Sequence, residues 1–303
     1  MKIKKLIFAA LCAYAVFFTA CGTPSVKRKL ITPPVDSAGW TVEEAESSKY
    51  FNVNKSEITP LIPSRGKDSP ALTIEYNFLD TAEPDIQKII NEKLYHGQTS
   101  ANYYKNERFK LVNDYFNSAK SINDINDIGD AQLQIFNQYY KEVANGTVYP
   151  TLITIRRDIE YYSGGAHPSR ERKYFVINTQ LKRVLRASDI ISSSAVPALE
   201  NLIEEALRNT YDTEKKSAKV PLTQLGFFED KVVLNSNFYL SDEGITFSWD
   251  PYDIAPYSMG VIEITLPYSK VNSLFTNYGV EASKIIMEFW SSAENTPGKK
   301  KAK

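Results

Sequence analysis

The sequence predicts an α+β fold, an antiparallel sheet with packed helices in two sequential subdomains, and three observations carry that reading. Apolar and polar residues alternate from Ala71 to Phe78 and again from Tyr149 to Tyr161, the period of a half-buried strand. Apolar residues recur at helical spacing from Ile86 to Leu94 and from Val196 to Leu207. The run Phe238-Tyr239-Leu240, then Ser241-Asp242-Glu243-Gly244, then Ile245 to Trp249 reads as a hairpin, with Gly244 able to take the positive φ of a bulged turn.

The elements follow in order. The chain opens with Lys2, Lys4 and Lys5, runs apolar from Leu6 to Phe18 and reaches Thr19-Ala20-Cys21. A charged start, an apolar middle and small residues before a cysteine form the pattern of a bacterial lipoprotein export signal. Residues 1–20 are therefore expected to be removed and Cys21 to carry lipid, which places the protein in the cell envelope, anchored to a membrane on its periplasmic or outer-membrane face. The apolar run, about 13 residues, is short for a spanning helix of roughly 20. Residues 21–47 contain Pro24, Pro33 and Pro34 with little periodicity and read as a tether.

Residues 48–148 form the first predicted subdomain. Pro84 opens a helix whose stripe is Ile86, Ile89, Ile90 and Leu94 and whose terminating glycine is Gly97. A second helix carries Leu111, Tyr115 and Ala119. A third is expected from Ala131, Ile135, Tyr139 and Val143 at four-residue spacing, ending at Asn145-Gly146. In the second subdomain, residues 149–276, the long strand to Tyr161 is followed by the Gly164-Gly165 break and a strand at Tyr174 to Asn178. A helix then starts near Ser194 and Pro197, the hairpin follows, and a last strand runs from Val261 to Leu266. Residues 277–303 are read as an extension with a basic tail.

Composition narrows the function. The chain has 36 basic and 36 acidic residues, and removing residues 1–20 takes three lysines and no acid, leaving 33 against 36. Nothing global supplies the basic field that phosphate backbones require, so nucleic acid is not expected as a partner. With Cys12 in the signal and Cys21 lipidated, no thiol pair remains for a disulfide or a redox centre, and no metal or other cofactor is expected. The Asn- and Asp-rich run from Asn123 to Asp130 fails as a calcium loop. Counting from Asp124, the fifth ligand place is Ile128 and the twelfth is Ile135.

Three places could carry chemistry. His96 precedes Gly97 at a helix C-terminus, where an imidazolium suits the dipole. His167 follows Tyr161-Tyr162-Ser163-Gly164-Gly165-Ala166, with Asp158 and Glu160 close by in sequence. A hydrolase using Ser163 and His167 is one reading, although no G-x-S-x-G elbow surrounds Ser163. A glycine turn held by histidine hydrogen bonds and a ligand-contacting loop are the others. The aromatic loop from Trp249 through Tyr252, Pro256 and Tyr257 offers stiff ring surfaces that could either fill a core or meet a partner. Arg170, Arg172, Lys173, Lys182, Arg183 and Arg186 could add a local basic edge.

Two of these stretches, Tyr161 to His167 and Asn237 to Phe247 running on through Pro251-Tyr252-Asp253-Ile254-Ala255-Pro256-Tyr257 to Leu266-Pro267-Tyr268, resemble the RsiV-like C-terminal domain, formally a domain of unknown function. That domain is found in the lysozyme-sensing anti-sigma factor RsiV and in many bacterial lipoproteins. The resemblance covers about 149–276. Residues 48–148 are similar to the companion domain that precedes it there and in PdaC-type peptidoglycan deacetylases. It implies an α+β fold and a sensor-like extracytoplasmic module, which in RsiV-type proteins binds lysozyme. Sigma binding, which needs a cytoplasmic segment and a spanning helix, and metal-dependent deacetylation, which needs an Asp-Asp pair and an H-x-x-x-H, are not expected to carry over from those relatives. The expectation is a non-enzymatic envelope module that recognises a lysozyme-like protein or peptidoglycan. The candidate ligand contacts are Tyr162, Ser163, Gly164, Gly165, His167, Trp249, Tyr252, Pro256 and Tyr257; a passive structural lipoprotein is the remaining alternative.

Overall fold

A computed structural model describes residues 50–58, 72–120, 138–212 and 220–294. The expected export signal with Cys21, the expected tether, the Asn123 to Asp130 run and the lysine tail lie outside them. Strands β1 (Phe51–Ile58), β2 (Leu72–Thr81), β3 (Gln138–Val148), β4 (Leu152–Tyr162), β5 (Ser169–Asn178) and β6 (Arg183–Val184) form one sheet in that order. Every pairing is antiparallel except β2 with β3, which is parallel. The chain between those two strands carries helices α1 (Pro84–Leu94) and α2 (Ser100–Lys120), the crossover that a parallel neighbour demands.

The helical stripe of α1 packs as its spacing predicts, with Ile86, Ile89, Ile90 and Leu94 all buried. They meet Ile74 and Tyr76 of β2 and Ile153, Ile155 and Ile177 of β4 and β5 in a first core. The third helix expected around Tyr139 and Val143 is instead strand β3, while Ala131 and Ile135 lie outside the described residues. The reason is the charge at its centre. Tyr140, Glu142 and Ala144 share one face of β3, and the buried Glu142 breaks the apolar alternation that would have marked a strand. Arg157 compensates it from the neighbouring strand at 2.7 Å, and Tyr140 and Tyr103 donate to its other oxygen at 2.8 and 3.2 Å. Asn145-Gly146 lies inside the strand, paired with Arg156 and Ile155, and does not end a helix.

β3 and β4 pair continuously across the boundary expected at 148/149. Two cores meet on β4 and β5, because successive residues point to opposite faces. Ile153 and Ile177 belong to the first core, whereas Leu152 and Val176 face a second. That second core gathers the short helix α3 (Ala187–Ile190), α4 (Val196–Tyr211), α5 (Tyr268–Val271), α6 (Asn277–Glu294) and a three-stranded antiparallel sheet of β7 (Phe238–Leu240), β8 (Ile245–Trp249) and β9 (Ile262–Leu266). Ala282 and Ile286 insert α6 into it, so the stretch expected as an extension begins as a packed helix. At the predicted hairpin Gly244 has φ +148, and a Cβ there would stand 2.1 Å from the Leu266 carbonyl oxygen, which accounts for glycine.

The second sheet is fastened to the outer edge of β5 by side chains. Asn237 accepts from the Tyr174 N–H at 2.8 Å and donates to the Arg172 carbonyl at 2.8 Å, filling the edge as a neighbouring strand would. Asp250 accepts from the Arg172 N–H at 2.7 Å and from the Lys173 ammonium at 2.7 Å. Burial opposes the charge on Lys173, but the hydrogen bond and charge of Asp250 outweigh it and raise its pKa. These contacts set the loop after Trp249 beside the β4–β5 turn.

Candidate functional site

On the face of β4 that begins with Leu152 in the second core and the buried Thr154, the next residues outward are Arg156, Asp158, Glu160 and Tyr162. Toward its end the strand therefore passes from core to a polar, half-exposed surface, and at its tip the chain turns through residues 163–168. Gly164 and Gly165 take φ of +102 and +108, values that favour glycine. Tyr162 donates its hydroxyl to the Gly165 carbonyl at 2.9 Å and closes the turn.

His167 leaves this turn and meets the aromatic loop. Its Nδ1 lies 3.0 Å from the Pro168 carbonyl, which can only accept, so Nδ1 carries the proton. Nε2 lies 3.0 Å from the Tyr252 hydroxyl and accepts from it when the ring is neutral. The imidazole lies flat on Tyr257, ring centroids 3.7 Å apart with 11° between planes. Tyr252 completes the triangle at 6.1 Å from His167 and 6.0 Å from Tyr257.

Tyr252 is 57 % exposed and sits at φ +74, a left-handed conformation that bulky residues rarely adopt. Its N–H donates to Ala255 at 3.0 Å, and the Asp253 carboxylate accepts from the Asp250 N–H at 2.9 Å, so a tight turn presents the ring. Half-buried Pro256 precedes the 3-10 turn Tyr257–Met259 and shapes the loop. On the same side of the sheet Tyr139 faces Tyr162 across β3 and β4, centroids 6.2 Å apart and nearly parallel. Tyr139 donates to Glu160 at 2.6 Å, and Arg170 holds the other Glu160 oxygen at 2.8 Å. Burial first, and then the hydrogen bond to Glu160, push the Tyr139 phenol up to about 12.

The structure thus brings Tyr162, Gly164, Gly165, His167, Tyr252, Pro256 and Tyr257 to one corner. Trp249 belongs elsewhere: it is 2 % exposed and packs with Phe247 in the second core. Ile245, Phe247 and Trp249 share the inward face of β8, and that two-residue alternation is the signal that marks Trp249 as core. Ser163 is exposed on the turn, and neither ring nitrogen of His167 bonds it. Asp158 is engaged with Arg156 and Arg172, and Glu160 with Tyr139 and Arg170, so neither orients the imidazole as a nucleophile–base–carboxylate relay needs. No group of three metal-ligating side chains occurs among the described residues.

Sequence reasoning missed Tyr139 and named Glu160 only as a charge near His167 and Arg170 only as part of a basic edge, because strand register is what sets Tyr139 beside Tyr162 and Arg170 beside Glu160. It also missed the fastening residues Asn237 and Asp250, although both flank strands of the hairpin. The expected basic edge is largely self-neutralised. Arg170, Arg172, Lys173, Lys182 and Arg183 pair with Glu160, Asp158, Asp250, Asp85 and Asp189. His96 takes φ +51 at the end of α1, and its ring lies 5.6 Å from that of Tyr103.

Comparison with known proteins agrees with this architecture. Over 264 residues the chain is 23 % identical to the anti-sigma-V factor RsiV of Bacillus subtilis (strain 168), a match covering 82 % of this chain and 85 % of that protein. The fold is similar to that of a DUF3298 family member from Bacteroides fragilis, with TM-score 0.61, 21 % identity and coverage of 77 % of this chain and 96 % of the other. A DUF3298 protein from Pseudomonas aeruginosa PAO1 superposes with TM-score 0.53 at 18 % identity, covering 75 % and 95 %. Residues 188–269 match the family described as "Protein of unknown function (DUF3298)", a span that contains the hairpin and the aromatic loop and leaves the His167 turn outside it. The chain therefore carries a DUF3298 domain on its C-terminal side, in a sequence similar over most of its length to that of an anti-sigma factor and an α+β fold similar to those of two DUF3298 proteins.

Proposed function

We propose that this chain is a lipid-anchored binding module of the cell envelope that recognises a lysozyme-like protein or peptidoglycan at the His167–Tyr252–Tyr257 corner without catalysing a reaction. The observation that carries the reading is Tyr252, a large ring held out to solvent on a left-handed backbone. Strain of that kind persists where surrounding structure over-determines it and concentrates at ligand sites. The similarity to RsiV supports a sensing role outside the cytoplasm, and the sequence up to Cys21 supports the anchor. Among the described residues no helix is long and apolar enough to cross a membrane. In this reading residues 21–47 are the tether, 48–148 a companion unit and 149–276 the recognition unit.

The test is capture of lysozyme and of purified cell-wall sacculi by the full chain. Tyr257→Ala should weaken capture by more than about 1 kcal/mol. Cys21→Ser should shift the protein from the detergent phase to the aqueous phase without changing capture. Failure to capture either material would contradict the recognition role.

A further inference from the structure

We infer that the ligand class of the aromatic corner is a glycan, a chain of pyranose rings carrying hydroxyl and acetamido groups; this rests on the recognition role proposed above. Three observations favour sugar over a protein surface.

First, the corner offers rings with polar edges. Tyr139, Tyr162, His167, Tyr252 and Tyr257 each combine an apolar face with a hydrogen-bonding atom, and Tyr252 is the most exposed of the four tyrosines. A pyranose has the complementary construction, with C–H groups on its faces and hydroxyls around its rim.

Second, the carboxylate beside the Tyr139 and Tyr162 rings is already paired. Glu160 is held between Arg170 at 2.8 Å and the Tyr139 hydroxyl at 2.6 Å, leaving a planar group with further donors and lone pairs but little net charge. Such a group hydrogen-bonds a neutral polyol, whereas a protein partner chosen by charge would need an unpaired ion at the contact.

Third, the scale is small. Tyr252, Tyr257 and His167 lie within 6.1 Å of one another, centroid to centroid, the size of one or two sugar rings. A stable protein interface needs about 800 Å² per partner. A footprint of that size centred on Tyr252 takes in neighbouring exposed surface such as Phe228, which is 48 % exposed and whose N–H donates to the Ile254 carbonyl of the same loop at 2.9 Å.

Phe228 therefore separates the two classes. The probes are chitopentaose, an oligomer of β-linked N-acetylglucosamine, and lysozyme, each titrated separately into the full chain by calorimetry. Saturable binding of chitopentaose is expected. Tyr252→Ala and Tyr257→Ala should each weaken it about tenfold or more, a hot-spot effect, while Phe228→Ala leaves it unchanged. Both substituted rings are at least partly exposed, and an unchanged melting temperature verifies the fold of each variant. The inference is overturned if chitopentaose fails to bind at about 1 mM, a weak-affinity limit, or if its binding ignores both tyrosine variants. If lysozyme alone binds, and both Phe228→Ala and Tyr252→Ala weaken it, the corner is a protein-docking surface: the glycan assignment falls and the recognition role stands. If neither probe binds, the glycan assignment falls, and the recognition role falls with it when the full chain also fails to capture sacculi.

Discussion

His167 and Tyr257 stack face to face, ring centroids 3.7 Å apart and planes 11° from parallel, although one belongs to the β4–β5 turn and the other to the loop after β8. The contact joins two segments from different sheets. It depends on Asn237 and Asp250, which tie the second sheet to the edge of β5 through main-chain hydrogen bonds.

Tyr252→Asn separates stability from recognition. Asparagine tolerates the left-handed region, so the change relieves backbone strain of about 1 kcal/mol. It also removes the hydrogen bond to His167, a loss of similar size. The melting temperature should stay close to that of the parent, while ligand affinity falls about tenfold or more. A clear loss of stability would show that the tyrosine is there to hold the loop together.

The buried ion pair of Glu142 and Arg157 makes the opposite kind of prediction. Both side chains are shielded, 5 % and 11 % exposed, and burial followed by the Glu142 charge raises the pKa of the Tyr140 phenol. Arg157→Met leaves a buried carboxylate without its cation and should cost about 3–5 kcal/mol in urea unfolding. The double change Glu142→Leu with Arg157→Met should recover most of that loss. If the double variant is no more stable than the single one, the damage lies in packing and not in charge.

Asp189 predicts a pH dependence. The Arg183 guanidinium grips both carboxylate oxygens at 2.8 Å, and the Arg186 N–H donates to one of them at 2.7 Å. The Arg183 hydrogen bond leads in lowering the Asp189 pKa, against a smaller opposing effect of burial. A carboxylate depressed on folding stabilises above its unfolded pKa, near 4, and loses that contribution as the pH falls through the folded value. The pair lies near the surface, so Asp189→Asn should lower stability at neutral pH by no more than about 1 kcal/mol. Melting curves of parent and variant should converge below about pH 4. A gap that persists in acid would assign the effect to shape alone.

Much of the fold was legible where one periodicity dominates. Ile86, Ile89, Ile90 and Leu94 mark α1 because nothing polar interrupts the stripe, and the hairpin around Gly244 announces itself by its turn residues. Strand β3 was not legible. Its inward position 142 is a glutamate whose partner, Arg157, is identified only by the pairing of β3 with β4. The corner was legible as two suspicious loops, since Gly164-Gly165 with His167 and Tyr252 with Tyr257 are unusual residue choices. Their meeting was not, because the contact of His167 with Tyr252 spans 85 residues of chain and is made by the fastening of β5 to the second sheet. Trp249 shows the converse error, a ring in a promising loop that two-residue alternation had already committed to the core.

The measurement that bears most directly on recognition without catalysis is a parallel determination of ligand affinity and cell-wall hydrolysis for the full chain and its His167→Ala variant. With Nε2 engaged by Tyr252 and the imidazole stacked on Tyr257, His167 shapes the surface proposed to bind. The variant should bind more weakly, and neither protein should release soluble fragments from sacculi. Hydrolysis by the parent that disappears in His167→Ala, with affinity and melting temperature unchanged, would contradict the account and make the corner an active site.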